Sequence, residues 1–122
     1  MEINLNNITF IIVSYKSNEV IFDCLNSLPS KSKKIVIENS NNKKLKNDLI
    51  SKYDNIEVIM NENLGMGSSN NKGIERSNTQ FVYILNPDVT FKDDTYENIE
   101  KSLRNIGDFA ILSPIHSNQN YP

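Results

Sequence analysis

Apolar positions along the chain fall into short dense runs separated by segments with helical spacing. Residues 8–13, Ile-Thr-Phe-Ile-Ile-Val, form the first run and read as a buried strand ending at the polar Ser14-Tyr15-Lys16-Ser17. Val20, Ile21, Cys24, Leu25 and Leu28 then recur at helical spacing, with Asn18 as the expected cap and Pro29 as the stop. Residues 34–37 are a second strand running into Glu38-Asn39-Ser40, and residues 43–53 a helix with Leu45, Leu49, Ile50 and Tyr53 on one face. A third strand, 56–60, ends at Asn61-Glu62-Asn63. The segment from Leu64-Gly65 through Asn71-Lys72-Gly73-Ile74 reads as a glycine-punctuated turn leading into a short helix.

The densest run, Phe81-Val82-Tyr83-Ile84-Leu85, stops abruptly at Asn86-Pro87-Asp88 and suits a strand buried on both faces. Pro87 has no N–H for a ladder, so pairing should end there. Asp94 and Glu97 make a capping-box-like start for a helix with Tyr96, Ile99, Leu103 and Ile106 inward and Gly107 as its stop. Residues 109–112 read as a fifth strand, and the tail from Ser113 to Pro122 has no periodicity.

Strand and helix alternate throughout. That order predicts right-handed crossovers and an α/β fold: a mainly parallel, doubly wound, Rossmann-like sheet with helices on both faces. The polar clusters after strands one to four would then gather along one sheet edge, where open α/β sheets bind ligands. There Asn86 and Asp88 offer an amide oxygen and a carboxylate, donors suited to a hard divalent cation holding a diphosphate. Read alone, Asn-Pro-Asp is equally an ordinary turn. Glu38 and Asn39 offer a carboxylate and an amide near the same crevice, able to accept from a ribose or a base edge; a solvated turn is the competing reading.

Composition narrows the classes. With 122 residues the chain has room for one domain, 1–122, with one core. Hydrophobic content of 38% and charged content of 23% are those of an ordinary soluble domain. A formal net charge of -2 leaves no basic excess for phosphates, so no nucleic-acid partner is expected. Cys24 is the single cysteine, which fits a reducing compartment and a small core residue. No secretion signal or membrane span is apparent, so a cytoplasmic location is expected, with peripheral membrane association left open. His116 reads as a surface residue of the tail, and without Cys/His clusters structural zinc is excluded. The segment 65–73 is neither a phosphate loop nor a dinucleotide fingerprint, since it lacks the Lys-Ser/Thr ending and does not follow the first strand. A phosphoacceptor signalling domain would need an acidic pair where Ser14-Tyr15 stand.

The order of motifs resembles the family-2 glycosyltransferases with the GT-A fold. It comprises Ser14-Tyr15-Lys16-Ser17, Glu38-Asn39-Ser40, Asn63-Leu64-Gly65 through Asn71-Lys72-Gly73-Ile74, and Leu85-Asn86-Pro87-Asp88. The likeness is greatest to their rhamnosyltransferase-type branch, where Leu-Asn-Pro-Asp takes the place of Asp-x-Asp. It implies that Ser14 and Tyr15 line the nucleotide pocket, and that Glu38, where the family usually has Asp, contacts base or ribose beside Asn39. Asn63, Gly65 and Asn71 would pack around the nucleoside. Asn86 would replace the first acid, leaving Asp88 as the carboxylate for Mg²⁺ or Mn²⁺.

The activity implied is inverting transfer of a sugar, of hexosyl type, from a nucleotide-diphosphate sugar to a saccharide or lipid-linked acceptor hydroxyl in polysaccharide biosynthesis. The family's catalytic base comes from a region beyond the fifth strand, so the resemblance implies a base located past Pro122. The chain is therefore expected to be a truncated, donor- and metal-binding half, with no catalytic residue assignable within it. The alternative is a non-catalytic nucleotide-binding module. An open sheet edge would favour self-association into a homo-oligomer.

Overall fold

The computed structural model describes residues 6–62 and 65–104. The element order is β1 (Ile8–Ser14), α1 (Ile21–Ser27), β2 (Lys33–Glu38), α2 (Lys43–Lys52), β3 (Ile56–Met60), α3 (Met66–Arg76), β4 (Phe81–Leu85) and α4 (Thr95–Arg104). The four strands form one sheet in the order β3-β2-β1-β4, with every pairing parallel. This is the α/β arrangement that the alternation of patterns predicts. The strand order reverses direction at β1, opening a crevice beyond its carboxyl end, between β2 and β4.

Side-chain alternation along the strands assigns the two faces. Phe10, Ile12, Val36, Val58 and Leu85 pack with Ile21, Cys24, Leu25 and Leu28 of the α1 segment and with Leu45 and Leu49 of α2. Fully buried side chains such as Ile12, Ile21 and Leu49 contribute roughly 1.5–3 kcal/mol each. Aromatic rings extend this face: Phe10 lies 5.6 Å from Tyr83 and 5.8 Å from Phe91, centroid to centroid. Tyr96 of α4 completes the cluster, 6.2 Å from Phe10. The opposite face carries Val13, Ile35, Ile37 and Ile59, with α3 lying across β1 and β2.

Gly73 is what lets α3 come down so closely. A Cβ there would stand 2.6 Å from Ile11 Cγ2, and Ile11 is fully buried. Lys72 and Arg76 tie one flank of α3 to β3: Lys72 Nζ donates to Asn61 Oδ1 (2.8 Å) and Arg76 Nε to Glu57 Oε1 (2.6 Å).

Several expectations need correction. Asn18 is not the α1 cap: the helix starts at Ile21 behind Val20, and the Ser17 carbonyl accepts the Val20 and Ile21 N–H groups. Val20 and Ile50 are exposed, because each lies on the flank of its helix turned away from the sheet. The glycine-punctuated segment is mostly helix, since α3 runs for 11 residues from Met66. β4 is not buried on both faces. Among the described residues it is an edge strand of the sheet, and α3 packs mainly on β1 and β2, so Ile84 is 46% exposed. The expectations for the Leu103 side chain, Ile106, Gly107, the strand over 109–112, His116 and the tail to Pro122 fall outside the described part.

Candidate functional site

All four strands point their carboxyl ends at one edge, so each strand's terminal residues meet there. At the end of β1, Ser14 is fully buried; its carbonyl accepts the Asn39 N–H (2.8 Å), and its hydroxyl has no hydrogen-bond partner. Tyr15 turns outward at 48% exposure, with Lys16 Nζ 5.4 Å from its ring centroid. Lys16 holds the left-handed conformation (φ 53°), a strain of order 1 kcal/mol or more for a side-chain-bearing residue. Its N–H donates to Ser40 Oγ (3.1 Å), which fixes the bend. Ser17 closes the turn, its hydroxyl donating to the Tyr15 carbonyl (3.2 Å).

At the end of β2, Glu38 is fully buried and its carboxylate is turned into its own loop. Oε2 accepts from the N–H groups of Ser40 (3.1 Å) and Asn42 (2.8 Å), and Oε1 accepts from Ser40 Oγ (2.8 Å). The expectation that Glu38 contacts a base or ribose directly does not fit this geometry, because neither oxygen is presented to the crevice. Asn42 in turn caps α2, its Oδ1 accepting the Leu45 N–H (2.9 Å). Asn39 faces the other way. It is 6% exposed, its Nδ2 donates to Ser69 Oγ of α3 (2.8 Å), and its Oδ1 is buried without a partner. Asn39 thus stitches β1, β2 and α3 together with one polar atom left over.

Gly65 takes φ 100°, a conformation glycine adopts without strain, and this sets the abrupt start of α3. The Gly65 carbonyl accepts the Ser69 N–H (3.2 Å), and Met66 in the first helical turn lies over the crevice. Asn71 is not brought there. It lies exposed on α3 midway between the inward Ser69 and Gly73, and a two-residue offset at 3.6 residues per turn puts it on the opposite side. Asn63 falls outside the described residues.

β4 ends as Pro87 predicts. The Val89 N–H donates back to the Asn86 carbonyl (3.1 Å), making a turn that exposes Asn86 and Asp88. Two contacts fasten this turn to α1: Ser27 Oγ accepts the Phe91 N–H (2.9 Å), and Cys24 Sγ lies 3.8 Å from the Asn86 carbonyl. Burial and then the nearby Asp88 charge push the Cys24 thiol up to about 11, so it stays protonated and is no nucleophile.

Between these ends lies a cleft of about 280 Å³ lined by Val13, Tyr15, Ser17, Asn39, Met66 and Pro87. Among the described residues no three or more His, Cys, Asp or Glu side chains cluster as a metal cage. Ser14, Tyr15, Asn39, Gly65, Asn86 and Asp88 therefore sit at one sheet edge, as their positions after strands predict, whereas Asn71 does not. The base implied past Pro122 has no counterpart to examine, since the described residues end at 104. Ser17, Met66, Ser69 and Pro87 contribute to the site as well. Only the helical spacing of Ser69 and Gly73, placing both on the sheet side of α3, could have pointed to the partner of Asn39.

The sequence profile of glycosyl transferase family 2 matches residues 9–121. The chain belongs to this family. The hexosyltransferase Agl10 of Haloferax volcanii, named for low-salt glycan biosynthesis, is 28% identical over 115 residues, which are 90% of this chain and 36% of Agl10. EpsH of Bacillus subtilis, a putative glycosyltransferase by name, is 30% identical over 108 residues, 83% of this chain and 30% of EpsH. The glycosyltransferase chain described here thus spans about a third of the length of these relatives. Its fold is similar to that in the crystal structure of S. aureus TarS residues 1–349, with a TM-score of 0.68 at 16% identity, covering 88% of this chain and 38% of that one. The GT-A likeness of the fold rests on that superposition. Among the described residues no helix is long and apolar enough to cross a membrane.

Proposed function

We propose that the strand-end cleft holds a nucleotide-diphosphate sugar, and that this chain is the donor- and metal-binding part of a hexosyl- or rhamnosyl-type transferase. The acceptor is a hydroxyl of a saccharide or lipid-linked saccharide, and transfer proceeds with inversion. The observation that carries this reading is convergence. An exposed aromatic ring (Tyr15), Asn39 with its unpartnered buried Oδ1, Met66 at the start of α3 and Pro87 of the Asn86–Asp88 turn line one cleft at the point where strand order reverses. A buried acceptor without a partner is rare, and a water, an ion or a ligand can complete its bonding. The name of Agl10 supports a hexosyl donor and a glycan product.

Base and ribose occupy the Tyr15–Asn39 side of the cleft, beside Ser14 and Gly65, and the diphosphate runs past Pro87 toward Asp88. The Asp88 carboxylate and Asn86 amide are hard oxygen donors, and they fit Mg²⁺ or Mn²⁺ held jointly with substrate phosphates, not by a protein cage. When bound, such an ion neutralises charge on the departing diphosphate. The protein's own part is orientation. Asp88 is kept in place by the α1 contacts of its turn, and the cleft walls exclude water from the base. No described residue is assigned as the base that deprotonates the acceptor; that group belongs to the portion of the relatives not spanned here, past the position of Pro122.

Calorimetric titration with UDP-, dTDP- and GDP-sugars, with and without Mn²⁺, tests the proposal. At least one donor should bind in a metal-dependent manner, and Asp88→Ala should weaken it by about tenfold or more. Absence of binding by every donor at millimolar concentration would contradict the site.

A further inference from the structure

Glu38 ends β2 at the very edge where the ligand cleft lies, yet its carboxylate is spent entirely inside the protein. The loop around it is built like an anion nest. The Ser40 and Asn42 N–H groups converge on Oε2, and the residue between them, Asn41, takes the left-handed conformation (φ 56°) that aims them inward. The second oxygen receives the Ser40 hydroxyl, and that same hydroxyl accepts the Lys16 N–H from the loop after β1. One carboxylate therefore holds two strand-end loops together through Ser40. Lys16, pinned in its own left-handed conformation (φ 53°), directly follows Tyr15, whose half-exposed ring lines the cleft. Asn39, by contrast, is among the residues that line the cleft, and its buried Oδ1 has no partner.

Resting on the donor-site reading above, we propose that Glu38 is a positioning residue that never touches the nucleotide. It sets the Tyr15 ring through Ser40 and Lys16, while the polar contact to the base from the end of β2 comes from the Asn39 amide. The two roles leave different signatures. Loss of a positioning residue misplaces the stacking ring and weakens all nucleotides by a common factor, because every base has a π-face. Loss of the group that hydrogen-bonds a base edge changes the ratio of affinities between nucleotides, because bases differ in donors and acceptors there.

The experiment measures the affinities of the full chain for UDP, dUDP, CDP and GDP in Mn²⁺, for the parent and for Glu38→Ala, Ser40→Ala, Tyr15→Ala and Asn39→Ala. Thermal unfolding confirms folding of each variant. Glu38→Ala and Ser40→Ala should each weaken every nucleotide by a similar factor, on the order of tenfold, with ratios unchanged. Adding Glu38→Ala to Tyr15→Ala should produce little further loss. Asn39→Ala should alter the UDP-to-CDP ratio. Ser40→Ala keeps the two backbone bonds to the carboxylate, so it decides the matter if Glu38→Ala fails to fold. A changed nucleotide ratio, or a selective loss of the 2′-hydroxyl discrimination between UDP and dUDP, in Glu38→Ala or Ser40→Ala overturns the proposal. So do unchanged affinities in both. A parent chain that binds no nucleotide removes the donor-site reading itself, an outcome distinct from binding whose pattern contradicts the role of Glu38.

Discussion

Replacing Gly73 by alanine tests how α3, and with it one wall of the cleft, is seated on the sheet. The added methyl would stand 2.6 Å from Ile11 Cγ2, about 0.8 Å short of ordinary carbon contact. Ile11 has little freedom to yield. It is fully buried in the central strand between its partners Ile35 and Ile84, and its β-branch restricts χ1. Overpacking of this kind costs about 1–3 kcal/mol, and the better helix propensity of alanine returns about 1 kcal/mol. The expected net loss is about 0–2 kcal/mol. With a urea m-value of about 1 kcal/mol/M, the unfolding midpoint should fall by up to roughly 2 M. Ile11→Leu removes the offending Cγ2 while conserving volume, so the double variant should be more stable than the sum of the two single effects by about 1 kcal/mol. A Gly73→Ala variant more stable than the parent, or strict additivity with Ile11→Leu, refutes the close-seating argument.

Lys34 is buried at the start of β2, with its ammonium donating to the Ser32 carbonyl (2.9 Å), and burial lowers its pKa below the usual 10.5. A depressed base binds its proton less tightly folded than unfolded, so its penalty is complete below the folded pKa and fades as pH rises toward 10.5. Lys34→Met should therefore be more stable than the parent by about 1 kcal/mol or more at pH 7, with the gap narrowing in alkaline unfolding curves. A gap that widens with pH would contradict the assignment. Cys24, fully buried with its thiol raised to about 11, should react with iodoacetamide at pH 8 only at the rate of unfolding, as mass spectrometry with and without urea would reveal. Rapid labelling of the folded chain would show that the α1 contact with the β4 turn is open.

The strands and helices are legible because parallel strands buried by crossover helices favour dense apolar runs, and largely apolar runs appear at residues 8–13, 34–37 and 56–60. The convergence of Ser14, Tyr15, Asn39, Gly65, Asn86 and Asp88 on one edge followed from topology alone, since every parallel strand ends on the same side. What the pattern does not encode is which side of an element finds a partner. Ile84 is apolar like a core residue, yet it stands on the strand that is at the edge among the described residues, away from the main seat of α3 on β1 and β2. Asn71 sits among residues of the α3 segment but a half-turn out of phase with Ser69 and Gly73. Glu38 was the subtlest case. A carboxylate after a strand reads as ligand-facing, and only the positive φ of Asn41 and the Ser40 relay reveal that its loop consumes it.

The central claim is that a nucleotide-bound divalent ion sits at the carboxyl edge of the sheet beside Asp88. Paramagnetic broadening of amide NMR signals by Mn²⁺, added with the tightest-binding nucleoside diphosphate, locates that ion. The account predicts that Asp88, Val89, Tyr15 and Met66 broaden first and that Lys33, Asn55 and Phe81 at the opposite edge, a strand length of roughly 17–20 Å away, stay sharp. Broadening centred on that opposite edge, or spread evenly over the surface charges, would contradict it.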